Sequence, residues 1–133
     1  MKFKFLEHTA DAKFQAFGKN LEEVFVNSAL ALTKIMTDDK VKSKIEKKIR
    51  INGNDQKSLL YNFLEELLFL IDTENFLLAK IKEIKIKNNN LAAILSGDNN
   101  IKNYEIKNHI KAITYNEMFI KQEKNKFVLQ VIL

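Results

Sequence analysis

The stretch of this sequence whose residue types could most readily do chemistry is His8-Thr9-Ala10-Asp11. It is a polar break between two short aromatic runs, a place where turn geometry can hold a carboxylate. Taken alone, such a segment reads most simply as an Asx turn beside a satisfied histidine. Other routes to catalysis are thinly represented. Absence of cysteine removes disulfides and thiolate metal sites. The three glycines are too few for a glycine-rich phosphate loop or a dinucleotide fingerprint. The histidines, His8 and His109, sit at opposite ends of the chain, so neither suggests a nucleophile–base–orienter set. The acid pairs Glu22-Glu23 and Glu65-Glu66 are adjacent in sequence, so their side chains diverge on a helix and read as solvated faces.

The elements that must position these residues follow from periodicity. Phe3 and Phe5 alternate with Lys2 and Lys4 as in a half-buried strand, and a second strand-like run passes through Phe14, Ala16 and Phe17 to Gly18. Asn20 is a good N-cap, with Glu22 and Glu23 where the helix dipole favours anions. Leu21, Val24, Phe25, Ser28, Leu32 and Ile35 then form one face of a helix expected over 20–37. Val41, Ile45, Ile49 and Ile51 share a parity, which predicts a strand over 40–52. A turn at Asn52-Gly53-Asn54-Asp55 leads into the clearest helix, over 55–71, where Leu60, Phe63, Leu64, Leu67, Leu68 and Ile71 recur at helical spacing. Strand-like runs follow near 78–87, 91–97, 109–115, 117–122 and 127–133, with Asn-rich turns at Asn88-Asn89-Asn90 and Asp98-Asn99-Asn100. The parity of Ile81, Ile84 and Ile86 slips once, which signals a bulge. No proline, repeat or linker marks a boundary, so the expectation is a single domain over 1–133. The economical packing is an α+β, two-layer domain: a mainly antiparallel sheet, containing the 40–52 and 109–133 strands, with two principal helices on one face.

The chain has 133 residues and a formal net charge of +5, with lysine and acid interleaved throughout. Such a balance favours an anionic partner, RNA first. A solvated lysine-rich surface explains the charge more simply, and most phenylalanines are spaced as core rather than as stacking platforms. The opening Met1-Lys2-Phe3-Lys4-Phe5 alternates charge and ring, unlike a signal peptide. The apolar stretch at Leu67–Ile71 is too short to cross a bilayer. A cytoplasmic protein without membrane contact is expected.

Three ordered blocks carry a resemblance. His8-Thr9-Ala10-Asp11 is followed by Ala16-Phe17-Gly18, then Leu21-Glu22-Glu23-Val24-Phe25 with Ala29 behind. Leu59-Leu60 leads to Leu64-Glu65-Glu66-Leu67-Leu68, and Ile110-Lys111-Ala112-Ile113-Thr114-Tyr115 comes later. In this order and spacing the sequence resembles the archease family. The resemblance implies an α+β domain of the strand–helix–strand–strand (SHS2-like) type. It also implies a non-catalytic accessory role in tRNA processing: activation of the RtcB-type tRNA-splicing ligase. The family speeds formation of the ligase's guanylylated histidine, so that the ligase turns over repeatedly, and tRNA is met through the ligase. By the same resemblance Asp11 corresponds to an acidic metal ligand, Lys111 to the lysine of the family's K-A-V-T-Y strand, and Asp98, after Gly97, to a recurrent acid. His8, Asp98 and Lys111 are thereby the expected functional surface, with Asp11, Asp98 and Lys111 meeting where strand ends converge.

This sequence departs from the pattern at its end. Members of the family usually close with a ligating aspartate and one more apolar residue, whereas here the sequence ends on Val131-Ile132-Leu133. The terminal carboxylate of Leu133 is the expected substitute for the missing ligand of Ca²⁺ or another divalent cation, which wants six or more oxygens. Tyr104 and Asn116 stand where histidines are common. Two other readings remain open: a general protein-binding or chaperone-like module, and a metal-dependent phosphoryl-transfer enzyme using Asp11 and Asp98.

Overall fold

The computed structural model describes residues 1–7 and 12–133. His8 and Asp11, singled out from the sequence, therefore lie outside the described residues. The order is β1 (Phe3–Leu6), β2 (Lys13–Gly18), α1 (Leu21–Met36), β3 (Ile45–Asn52), α2 (Gln56–Glu74), β4 (Leu77–Lys87), β5 (Asn90–Asp98), β6 (Phe119–Glu123) and β7 (Lys126–Ile132). A short 3₁₀ turn at Ile101–Asn103 follows β5. The α+β class and the two principal helices are as expected.

Both helices start on side-chain caps. Asn20 accepts from the Glu23 amide at 2.8 Å. Asp55 and Ser58 form a reciprocal capping box. Asn75 ends α2 in the left-handed conformation, φ 56°, its amide bonding back to the last-turn carbonyls. Gly18 lets the end of β2 approach the first turn of α1. A Cβ there would stand 2.4 Å from the Val24 amide nitrogen, so no other residue fits without movement.

The single expected sheet is two. One has the order β1-β2-β7-β6 and the other β3-β5-β4, with antiparallel pairing throughout. Both helices reach both sheets: α1 packs on β2, β4 and β7, and α2 on β3, β4 and β6. One core results, in which Phe14, Phe25, Leu60, Phe63, Leu64 and Leu129 are fully buried. The Phe25 and Phe63 rings lie 5.8 Å apart across the helix pair. Apolar residues of β3 and β5, such as Ile49, Leu91 and Leu95, join that core, leaving the other face of their sheet to solvent.

One expected strand starts late and another is absent. The 40–52 run becomes a strand only at Ile45. Val41 is buried instead beside Met36 and Leu77, and the Lys42 amide donates to the Tyr104 hydroxyl at 3.0 Å. The 109–115 run is not a strand. Ile113 is buried while Lys111, Ala112 and Tyr115 are exposed, so burial does not alternate, and the run is held by irregular contacts. The Asn108 side-chain amide donates to the Ile35 carbonyl at 3.0 Å, and the Thr114 hydroxyl to the Ile132 carbonyl at 2.7 Å. Irregularity in β4 was expected from the isoleucine parity, and register shifts occur at Leu78/Lys80 and Ile81/Glu83. Among the described residues, no helix is long and apolar enough to cross a membrane.

Candidate functional site

The segment from Asp98 to Met118 leaves β5 and returns at β6, and its two ends build different environments. At the near end Asp98 is 1% exposed. The Tyr104 hydroxyl donates to Oδ2 at 2.7 Å and the Asn100 amide to Oδ1 at 3.0 Å. The Lys44 ammonium stands 3.8 Å from Oδ2. The Tyr104 hydrogen bond, helped by the Asn100 amide and Lys44, holds the Asp98 carboxyl below its ordinary range against the opposing effect of burial. Burial, more than the neighbouring carboxylate, pushes the Tyr104 hydroxyl up. Gly97 brings this strand end tight against its neighbour, because a Cβ there would stand 2.1 Å from the Leu77 carbonyl oxygen.

Beyond Tyr104 the segment is fastened to the end of α1. Asp39 accepts from the Glu105 amide at 2.8 Å, the Lys107 amide donates to the Met36 carbonyl at 2.8 Å, and the Lys107 ammonium pairs with Asp38 at 2.8 Å. These ties deliver residues 108–114 to the end of the molecule where β2 begins and β7 finishes. There they close a cavity of about 500 Å³, walled by Ala12, Ile35, Thr114 and Leu133 and bearing His109 and Lys111. The Leu133 amide donates to the Ala12 carbonyl at 2.9 Å, which fixes that wall.

Of the residues expected to work together, Lys111 and Leu133 share this cavity, and Ala12, the neighbour of Asp11, lines it too. Asp98 is not among its lining residues, and both of its oxygens are engaged elsewhere. It anchors the start of the segment whose far end presents Lys111. His109 also lines the cavity, a position the sequence offered no reason to choose. Tyr104 drew attention only as a departure from a histidine. Its pairing with Asp98 depends on the chain reversal at Ile101–Asn103, which has no strong sequence signature.

An ammonium at the rim of a partly apolar cavity can hold an anion, carboxylate or phosphate, more firmly than it could in open water. A hard divalent cation needs more. Among the described residues, no three acidic or imidazole side chains converge to hold one. The described donors alone do not make a cation site.

Two antiparallel sheets sharing one pair of helices, with a lysine-bearing loop closing a cavity at the meeting of β2 and β7, define a small α+β class. Solved structures share the fold. The solution structure of protein 1598 of Methanobacterium thermoautotrophicum superposes with a TM-score of 0.85 at 40% identity, covering 99% of this chain and 97% of that one. The crystal structure of a Thermotoga maritima archease, described as a possible chaperone, superposes with a TM-score of 0.67 at 18% identity, covering 97% and 94%, and speaks for the fold alone. The profile of the Archease protein family (MTH1598/TM1083) matches residues 3–133. The archease of Methanothermobacter thermautotrophicus is 40% identical over 98% of this chain and 96% of its own. That of Sulfolobus acidocaldarius is 36% identical over 99% and 97%. The chain belongs to the archease family.

Proposed function

We propose that this protein is a non-catalytic accessory factor of an RtcB-type tRNA-splicing ligase. It promotes guanylylation of the ligase and its multiple turnover, and it meets tRNA through the ligase, in the cytoplasm. Family membership supports the reading. The observation that carries it here is the cavity to which Lys111 and Leu133 both contribute, beside Ala12. An ammonium so placed can orient a phosphate or a carboxylate of the ligase without bond-making of its own. Ca²⁺ or another divalent cation, if held, would sit with Asp11 and add positive charge beside Lys111. The test is multiple-turnover ligation with the protein added below the ligase concentration. The expected result is many more turnovers per ligase, and no ligation or nucleotide hydrolysis by the protein alone. Equal turnover with and without it would end the activator reading.

A second reading, a general protein-binding or chaperone-like module, is favoured by two aromatic features. Tyr61 and Tyr115 stack with ring centroids 4.4 Å apart, and on α2 Phe69 is 56% exposed. Suppressed aggregation of unrelated client proteins, lost in Phe69→Ser, is its distinguishing measurement.

A further inference from the structure

The outward face of β3-β5-β4 concentrates charge that the sequence scatters. Register places Asn52, Asn90 and Lys87 in one row, Arg50, Ala92 and Lys85 in the next, and Lys48, Ile94 and Glu83 in a third. On the β3 side Lys48 and Arg50 are exposed, and on the β4 side Lys85 and Lys87 are. Between these rails the floor is β5, with half-buried Ala92 and Ile94. Neighbouring strands lie about 4.8 Å apart, so the rails are separated by roughly 10 Å, and successive cations along a rail by about 6.8 Å. Shallow depressions of about 610 Å³ and 360 Å³ run along this trough.

A solvated sheet face ordinarily pairs opposite charges across strands. That happens here at the far end, where Lys82 meets Glu46 at 2.7 Å. Toward the β4–β5 hairpin it does not happen: the rows of Arg50 and Lys87 contain no acid. Arg50 lies across Ala92 from Lys85, about 10 Å away, a gap that one anion can bridge.

We infer that this face docks the phosphate backbone of base-paired RNA. Lysine is depleted at protein–protein interfaces and aromatic anchors are enriched there. This face has the opposite composition, since no aromatic side chain belongs to its rows. The same lack removes the stacking platform that single-stranded nucleic acid needs. B-form DNA is read by a helix or two-stranded ribbon inserted in the major groove. A three-stranded sheet face with both helices behind it has no projecting element to insert. A-form RNA presents a wide, shallow minor groove edged by phosphates and 2′-hydroxyls. The cationic rails meet the phosphates, and Asn52 and Asn90 can exchange hydrogen bonds with the hydroxyls. The inference does not depend on the ligase reading, and its test contains no ligase.

The experiment is fluorescence anisotropy of a labelled RNA hairpin titrated with the intact protein at several salt concentrations. Wild type should bind, with affinity falling steeply between about 50 and 200 mM salt. The set Arg50→Glu, Lys85→Glu and Lys87→Glu should bind at least tenfold more weakly, with the salt slope reduced by about 1 for each phosphate contact removed. A control set with the same charge change elsewhere, Lys19→Glu, Lys40→Glu and Lys102→Glu, should keep the slope. Glutamine at the three face positions repeats the test should charge reversal disturb folding. Equal losses in face and control sets would overturn the assignment to this face. Equal affinity for a DNA duplex of the same sequence would overturn the choice of RNA. No binding by wild type at about 50 mM salt would overturn the inference and leave the face to an acidic protein surface.

Discussion

Asp98 and Lys111 lie on one segment, and the same segment puts them to opposite uses. Asp98 is buried, with a hydrogen bond on each oxygen and a lysine nearby. Lys111 is exposed at a cavity rim, and among the described residues it has no ion-pair partner. A buried carboxylate with satisfied oxygens is an anchor, since moving it would strand its donors. A cation exposed at a rim is available to a ligand. Resemblance alone groups the two residues as one surface. Geometry separates holding from presenting.

The largest expected effect ignores this division and calibrates it. Phe63 is fully buried in the core that both helices and both sheets share. Phe63→Ala should destabilise the fold by about 3–5 kcal/mol, read by chemical denaturation. A much smaller loss would mean the shared core is not the common support of both regions. Next comes Lys111→Met, which keeps the aliphatic stem and removes the charge. Ligase activation should fall about tenfold or more, the scale of one lost charge-assisted contact, with the melting temperature unchanged. Unchanged activation would show that Lys111 is presented to nothing.

Asp98→Asn should do the reverse, lowering the melting temperature at neutral pH and touching activation only through the position of Lys111. The pH dependence sharpens the point. A carboxyl held below its ordinary range in the folded state stabilises fully above the unfolded value of about 3.9, and that stabilisation is lost as pH falls through the lower folded value. Wild type should therefore lose stability below about pH 4 more steeply than Asp98→Asn. Parallel curves would show that Tyr104 and Lys44 do not act through the Asp98 charge.

How much of this was legible in the sequence differs by region, for physical reasons. The α2 stripe of Leu60, Phe63, Leu64 and Leu67 was plain, because helical periodicity and burial are the same fact seen twice. The 109–115 run misled because its β-branched and aromatic residues favour a strand, while only Ile113 among them is buried and side chains such as Asn108 and Thr114 replace the ladder. The division into two sheets was hidden because pairing partners, such as β2 with β7, are remote in sequence. Lys111 and Leu133 could be named from the family pattern, but no spacing rule foretold their common cavity. The anchoring of Asp98 by Tyr104 was beyond reach, because a 3₁₀ reversal decides it. The basic rails were equally hidden, because only the register of β3, β5 and β4 gathers their lysines.

The smallest expected effect bears most directly on whether anchor and rim are two places or one. A cation that binds only the folded protein stabilises by mass action, about 2.7 kcal/mol at a hundredfold excess over its dissociation constant. On the reading proposed above, calcium should raise the melting temperature of wild type and raise that of Asp11→Asn less. Asp98→Asn is the decisive comparison. If Asp98 only anchors, this variant starts from a lower melting temperature yet gains as much from calcium as wild type does, since neither of its oxygens belongs to the cation's set. If the calcium gain disappears in Asp98→Asn and persists in Asp11→Asn, the cation binds at the buried end. The charge of Asp98 would then be a ligand rather than a fastening, and the contrast between the two ends of the segment would fail.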